Sequence, residues 1–174
     1  RRRHWRGYRQ QEVNTGMTSA EVVKFLENQR TAIVATTRKS GSPVMHAVWF
    51  VYLDKAIYIN VQRNSFKFSN ILRDPRVSAL VEDGESYFEL CGVSIEGNAT
   101  EVTDEEEILR VQDAQDKKRQ RMGSGTDSMP NYFEQSRAER LKRGDRVLVR
   151  IPMTHIRSWD FGKARSHYDE RGKP

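Results

Sequence analysis

The feature that most constrains the fold is a series of short, apolar and β-branched segments separated by residues typical of tight turns. Gly41 and Pro43 lie in the first turn, and Asp54-Lys55 forms the second. Such short connections join antiparallel strands, because parallel neighbours need a long crossover. We predict strands over residues 31–37, 44–53, 56–61, 77–82, 87–102, 147–151 and 155–159. Gly92 and Gly97 lie inside the longest segment and predict bulges or barrel corners there.

Helical patterns fall between these strands. Thr18 and Glu21 have the spacing of a capping box for a helix that ends near Asn28. Further helices are predicted over 65–72, 103–118 and 132–142. The fold class is therefore mostly β with α: an antiparallel barrel of six to seven strands with peripheral helices.

The positive charge is unevenly distributed. The net charge is +6, and residues 1–16 hold five arginines and one glutamate. We predict a basic N-terminal arm over 1–16 that is a candidate for a non-native or disordered extension, a folded domain over 17–163, and a charged tail over 164–174. Because the charge is concentrated in the arm, nucleic-acid binding is an alternative hypothesis and not the leading one.

Composition argues against several other classes. No apolar run has the length of a membrane span, and no signal-peptide pattern is visible, so we expect a cytoplasmic protein without membrane contact. The only cysteine, Cys91, excludes an internal disulfide and a cysteine-based zinc site. The four histidines are scattered without metal-ligand spacing, and no metal is predicted.

The segment 63–67, Arg-Asn-Ser-Phe-Lys, lies between a predicted strand and a short helix. Ser65 is suited to cap the helix, whose first-turn N–H groups can bind phosphate or another anion. Lys67 opposes the helix dipole, a placement that makes sense when an anion lies between them. Arg63 supplies a second positive group. A plain helix start with solvated basic residues is the alternative.

The residues around this turn resemble a known family. Residues 59–67 are similar to the strand, turn and helix whose basic residues hold the FMN phosphate in pyridoxamine 5′-phosphate oxidase. Residues 74–81 resemble its next strand, 93–97 (Val-Ser-Ile-Glu-Gly) its Val-Arg-Ile-Glu-Gly strand, and 33–43 its first hairpin. The resemblance covers about residues 18 to 163 and implies an FMN-binding split β-barrel.

Departures from the oxidase pattern matter as much. His46 and Val51 stand where the oxidase has Arg and Lys, and Phe66 replaces an Arg in the turn. Gly92 and Ser94 replace a Gln and an Arg, and the C-terminal segment that holds pyridoxal phosphate has no counterpart. These differences argue against true pyridoxamine-phosphate oxidase activity.

The ending 155–163 is similar to the final strand of flavin/deazaflavin-dependent oxidoreductases, many of which use the 8-hydroxy-5-deazaflavin coenzyme F420. That branch implies hydride transfer between F420, with FMN as the alternative, and a small organic substrate. It also implies a homodimer with cofactor sites at the subunit interface. A non-catalytic FMN- or F420-binding carrier or sensor of the same fold is the alternative function.

The resemblance implies a set of cofactor contacts. The phosphate would meet Arg63, Ser65 and Lys67, and the ring would meet residues of the second and third strands. Asn70 would orient the phosphate-side helix, while Trp159 and Phe161 would wall the site from the partner chain or simply pack in the core. His46 is the one candidate proton donor, although a satisfied strand histidine is more common. The predicted ring contacts are Met45, His46, Ala47, Val48, Trp49, Asn60 and Val61.

Overall fold

The computed structural model describes residues 14–123 and 143–165. The helix predicted over 132–142 lies outside the described residues, as do most of the N-terminal arm and most of the charged tail. The helices are α1 (Ser19–Asn28), α2 (Phe66–Arg73) and α3 (Glu105–Arg121), and a short 3-10 helix covers Phe161–Ala164. The strands are β1 (Thr31–Thr37), β2 (Pro43–Leu53), β3 (Ala56–Gln62), β4 (Arg76–Asp83), β5 (Cys91–Asn98), β6 (Thr100–Glu101), β7 (Arg146–Pro152) and β8 (His155–Asp160).

The described strands form one antiparallel sheet in the order β6-β7-β3-β2-β1-β4-β5-β8. Ala99 alone separates β5 from β6. One continuous stretch of chain therefore pairs with β4 through its first part and with β7 through its last two residues. Because β5 and β6 are continuous, this double pairing connects β4 to β7 and closes the sheet into a barrel. Strand β8 pairs with the other edge of β5. The predicted antiparallel split barrel with peripheral helices is confirmed.

The long strand predicted over 87–102 is wrong in two respects. Residues 86–90 form a turn in which the N–H groups of Glu89 and Leu90 donate to the Ser86 carbonyl oxygen, so the strand begins only at Cys91. The interruption at Ala99 then divides the remainder into β5 and β6. The structure consequently has eight strands in its described part where the sequence predicted seven.

The two glycines of β5 serve close approach and not an inserted residue. The β4–β5 register runs without a break from Arg76 opposite Asn98 to Asp83 opposite Cys91, so the predicted bulges are absent from this pair. A Cβ on Gly97 would lie 2.1 Å from the carbonyl oxygen of Pro152. Gly97 therefore lets β7 approach β5 where the barrel closes, which agrees with the alternative prediction of a corner.

Two apolar clusters stabilise the barrel. The larger one fills its interior with inward-facing strand residues and is sealed by Val22 and Leu26 of α1 and by Phe68 and Ile71 of α2. The smaller one lies outside the barrel, where α3 packs on the outer surface formed by β2, β3 and β7. Its buried members are Val51, Ala56, Tyr58, Val102, Val111 and Leu148.

Helices α1 and α3 are joined by a buried cation. The Lys118 ammonium lies 3.9 Å from the centroid of the Phe50 ring and donates to the Leu26 carbonyl oxygen over 3.2 Å. Burial lowers the pKa of Lys118 to about 8. Because α1 has no basic residue in its last turn, α3 supplies the positive groups that its carbonyl end favours, Arg121 bonding to Glu27. None of the helices in the described part combines the length and apolarity needed to span a bilayer.

We expect the Gly97→Ala variant to lose about 2–3 kcal/mol of unfolding free energy or more, because its Cβ meets backbone at the barrel seam. Urea unfolding followed by tryptophan fluorescence measures this loss. Ser94→Ala is the matched control on the same strand and should change stability by less than about 0.5 kcal/mol. An unchanged midpoint for Gly97→Ala would contradict the close-approach assignment.

Candidate anion and cofactor site

The turn before α2 has the predicted capping geometry. Ser65 is the N-cap, and its Oγ accepts from the Phe68 N–H at 3.3 Å and donates to the Gln62 carbonyl oxygen at 2.7 Å. The helix begins at Phe66. Within the described residues no hydrogen bond engages the backbone N–H groups of Phe66 and Lys67. Two donors therefore point out of the start of a helix whose dipole favours negative charge.

Lys67 adds a positive side chain at this helix end. It is half-buried, and burial lowers the pKa of its ammonium group. No hydrogen bond or ion pair among the described residues involves this group. A partly desolvated cation without a counter-charge is unfavourable in the free protein, so the position suits an incoming anion.

His46 lies on the inward-facing side of β2, directly opposite Val34 of β1. Its Nδ1 is buried and has no hydrogen-bond partner in the described part of the chain. Burial lowers the pKa of His46, and the positive charges of Lys67 and Arg38 lower it further. The imidazole therefore lies within electrostatic reach of two cations from different elements, one on α2 and one in the β1–β2 turn.

Arg63 is engaged elsewhere. Its Nε donates to the Gly144 carbonyl oxygen at 2.9 Å, and its Nη2 forms a 2.6 Å ion pair with Glu101 of β6. The guanidinium also lies 5.7 Å from the centroid of the Phe68 ring. Arg63 thus ties the turn to the barrel seam, and contact with a phosphate stays a prediction that would have to compete with Glu101.

Asn70 lies where it can orient α2. It is buried, donates to the Thr36 Oγ1 at 3.1 Å and accepts from Arg73, which in turn donates to the Thr37 carbonyl oxygen. These bonds hold the helix against the end of β1. Its predicted role in positioning the phosphate-side helix is consistent with this geometry and remains a prediction.

The predicted ring contacts on β2 alternate between two faces. Val48 belongs to the barrel core, and His46 faces the same side. Met45, Ala47 and Trp49 face outward, with Met45 69% and Trp49 56% exposed. Only the outward set presents side chains to a ligand on the surface of the sheet.

The two predicted contacts on β3 are also divided. Val61 lies in the barrel core. Asn60 faces the opposite way, beneath α3, and donates to the Gln115 Oε1 at 3.1 Å. Neither side chain joins the exposed group on β2, so a cofactor contact at these positions remains a prediction that would involve the main chain.

Trp159 lies on the outer face of the sheet, which also carries Trp49, but at its far side, and Phe161 follows it in the chain. A Cβ on Gly92 would lie 2.4 Å from the Trp159 ring, so that ring rests directly on the glycine backbone. Phe161 stacks on Tyr87 with ring centroids 5.2 Å apart. Strands β1, β4 and β5 separate β8 from β2, about 19 Å along the sheet at the usual strand spacing. Within one chain these aromatics do not share a site with Trp49.

Sequence reasoning missed Arg38, which it assigned to a turn. The available signal was strand alternation: Val34 and Thr36 are buried in the barrel, and Arg38 follows in the same phase. It also missed the Arg63–Glu101 pair, which joins positions far apart in the chain.

The chain belongs to the family described as pyridoxamine 5′-phosphate oxidase, which it matches over residues 18–160. No curated protein matches the sequence. Among solved structures, the conserved hypothetical protein Rv2991 from Mycobacterium tuberculosis is 32% identical, with 94% of this chain and 92% of that chain covered and a TM-score of 0.71. The protein is therefore a member of the FMN-binding split-barrel superfamily that the resemblance predicted.

More distant structures share the fold. The FAD binding protein from Mycobacterium smegmatis is 16% identical over 83% of this chain and 97% of that chain, with a TM-score of 0.60. A protein described as F420 reductase is 20% identical over 76% of this chain and 93% of its own, with a TM-score of 0.54. Proteins of this architecture thus include one described as FAD binding and one described as an F420 reductase.

We expect Lys67→Met to raise the pKa of His46, because removing a nearby positive charge favours the imidazolium form. An NMR pH titration of the His46 ring resonances measures this change. Lys39→Met removes an exposed cation whose charge does not act on His46 and serves as the control. The same His46 pKa in Lys67→Met and in the unsubstituted protein would contradict the placement of Lys67 beside the imidazole.

Proposed function

We propose that this protein binds the phosphate of a flavin-type cofactor at the start of α2 and acts as an oxidoreductase. The favoured cofactor is F420, with FMN as the alternative, and the substrate is a small organic molecule. The observation that carries the proposal is the half-buried Lys67 ammonium at the start of α2, where neither this group nor the first two N–H groups of the helix have a partner among the described residues. The buried Nδ1 of His46, which has no hydrogen-bond partner in the part of the chain that the structure describes, lies close enough for the charge of Lys67 to act on it.

The residues present fit a phosphate group. The N–H groups of Phe66 and Lys67 and the Lys67 side chain offer charge-assisted hydrogen bonds to an anion. Ser65 holds the helix start in place through its own two hydrogen bonds. A bound phosphate anion would offset the repulsion and the lost hydration that this arrangement otherwise carries.

When bound, the flavin or deazaflavin ring supplies the hydride chemistry. The chain holds the phosphate, orients the ring and excludes water. Met45, Ala47 and Trp49 are the side chains that the outer face offers to a ring. His46 faces inward beside Lys67, so we assign it to the phosphate end of the site and not to proton donation to substrate.

The choice of F420 over FMN rests on the departures from the oxidase pattern. Phe66 is 89% exposed and cannot hold an anion where the oxidase has an arginine. His46 replaces a second basic residue. The space that a side chain at position 92 would occupy is taken by the Trp159 ring. These same departures speak against pyridoxamine-phosphate oxidase activity. The F420 reductase among the similar folds is consistent with the choice.

We further propose that the active form is a homodimer with cofactor sites at the interface. The outer face of β1 and β2 carries three exposed apolar side chains, Ile33, Met45 and Trp49. Helix α3 covers β2 only near Val51, and the exposure of these three side chains shows that the described helices leave the rest of this face uncovered. Two-fold packing through this face would bring Trp159 and Phe161 of one subunit towards β2 of the other, which a single chain cannot do.

A non-catalytic carrier or sensor is the second candidate. Of the predicted site residues only His46 suits proton transfer, and we assign it to the phosphate. A similar fold is described simply as an FAD binding protein. In either role we keep the cytoplasm as the proposed location of the protein.

We expect F420 or FMN to quench the tryptophan fluorescence of the protein at micromolar concentration, and Lys67→Ala to weaken that binding about tenfold or more. Lys39→Ala is the matched control, since this exposed cation lies outside the site. If neither cofactor binds, the proposal fails. If a cofactor binds but no hydride transfer is seen over a panel of conjugated and heteroaromatic acceptors, the carrier or sensor function is favoured.

We expect Ile33→Glu to convert the dimer into a monomer, because a carboxylate in an apolar interface loses its hydration without gaining a partner. Light scattering coupled to size exclusion measures the mass. Leu109→Glu places the same change on the 64% exposed surface of α3 and should leave the mass unaltered. A monomeric parent protein, or a dimeric Ile33→Glu variant, would contradict the proposed interface.

A further inference from the structure

We propose that Arg38, in the turn between β1 and β2, completes this anion site as its second permanent positive charge. The proposal rests on the proposed phosphate site at α2 and deepens it. Arg38 takes the part that sequence reasoning gave to Arg63. Three groups that carry or accept a positive charge then surround one anion: Arg38, Lys67 and His46.

The register of the first hairpin places Arg38 on the side of His46. Val34 pairs with His46, and both face the barrel interior, as does Thr36. Arg38 follows Thr36 by two residues, and its backbone N–H still donates across the hairpin to the Ser42 carbonyl oxygen at 2.8 Å. Because side chains alternate along an extended chain, Arg38 continues the same row.

Helix α2 is fixed against the same end of β1. Asn70 bonds to Thr36, and Arg73 bonds to the Thr37 carbonyl oxygen, the residue just before Arg38. The first turn of α2 carries Lys67. The charges of Lys67 and Arg38 both lower the pKa of His46, so the two cations approach one imidazole from different elements.

The two arginines at this end of the barrel differ in their partners. Arg63 is neutralised by Glu101 and anchored to Gly144. The Arg38 side chain makes no hydrogen bond or ion pair within residues 14–123 and 143–165. An unpaired guanidinium retains its fork of donors, which matches the oxygens of a phosphate better than an ammonium does. Arg38 is therefore the arginine that can bind an anion, whereas Arg63 is already engaged by Glu101 and Gly144.

The arrangement couples anion binding to a proton. In the free protein, the neutral form of His46 is favoured by burial and by the positive charges of Lys67 and Arg38. A phosphate anion placed among these groups favours the imidazolium form and raises the pKa of His46. Binding then takes up a proton, and the affinity falls as pH rises through the pKa of His46 in the complex.

The test compares phosphorylated cofactors with their phosphate-free chromophores. We expect Arg38→Ala to weaken binding of FMN or F420 about tenfold and to leave binding of riboflavin, or of the phosphate-free deazaflavin, unchanged. Arg38→Lys should recover part of the loss, because it restores the charge without the fork. Lys39→Ala removes the neighbouring exposed cation and should have no effect.

An NMR titration of His46 provides a readout independent of activity. Arg38→Ala should raise the pKa of His46 in the free protein, and inorganic phosphate should raise it in the unsubstituted protein. If Lys67→Ala weakens cofactor binding while Arg38→Ala changes neither affinity nor the pKa of His46, the role of Arg38 is refuted and the proposed function stands. If the unsubstituted protein binds no phosphorylated cofactor and phosphate leaves His46 unchanged, both are refuted.

Discussion

The rest of the structure depends on one junction at Ala99, between β5, which pairs with β4, and β6, which pairs with β7. The absence of a side chain at Gly97 lets the Pro152 carbonyl approach there. Near the same seam the Arg63–Glu101 pair and the bond from Arg63 to Gly144 hold the turn before α2 to the barrel. Barrel closure and the position of the candidate anion site therefore depend on the same group of contacts. We expect a change at this junction to disturb both.

Two lysines, one buried and one half-buried, show how the same fold treats positive charge in different ways. Lys118 is buried against the Phe50 ring and donates to the carbonyl end of α1, so its charge is balanced inside the protein. Lys67 is half-buried at the amino end of α2, where the helix dipole repels it, and no described side chain compensates. Packing requirements account for the first arrangement. The second arrangement is what the proposed phosphate site would account for, since a bound anion brings the missing negative charge.

The sequence predicted most of the fold because its signals were local. The capping box of Thr18 and Glu21 and the cap at Ser65 are confirmed, since a cap depends on residues three positions apart. The strand over 87–102 failed because its limits were set by tertiary contacts: a turn at Ser86 and a change of partner at Ala99. Gly92 had no local signature for its purpose, which is to make room for the ring of Trp159.

The site was harder to predict, because charge alone does not reveal pairing. Arg63 is adjacent to the turn in sequence, yet it is paired with Glu101, which only barrel closure brings near. Arg38 is far from the turn in sequence, yet the hairpin register and the bonds from α2 to β1 place it in the row of His46. What distinguishes a binding arginine from a structural one is therefore the lack of an internal partner, a property of the folded chain. The same reasoning supports the proposed place of His46 in the anion site, because its buried Nδ1 is unsatisfied within the described residues.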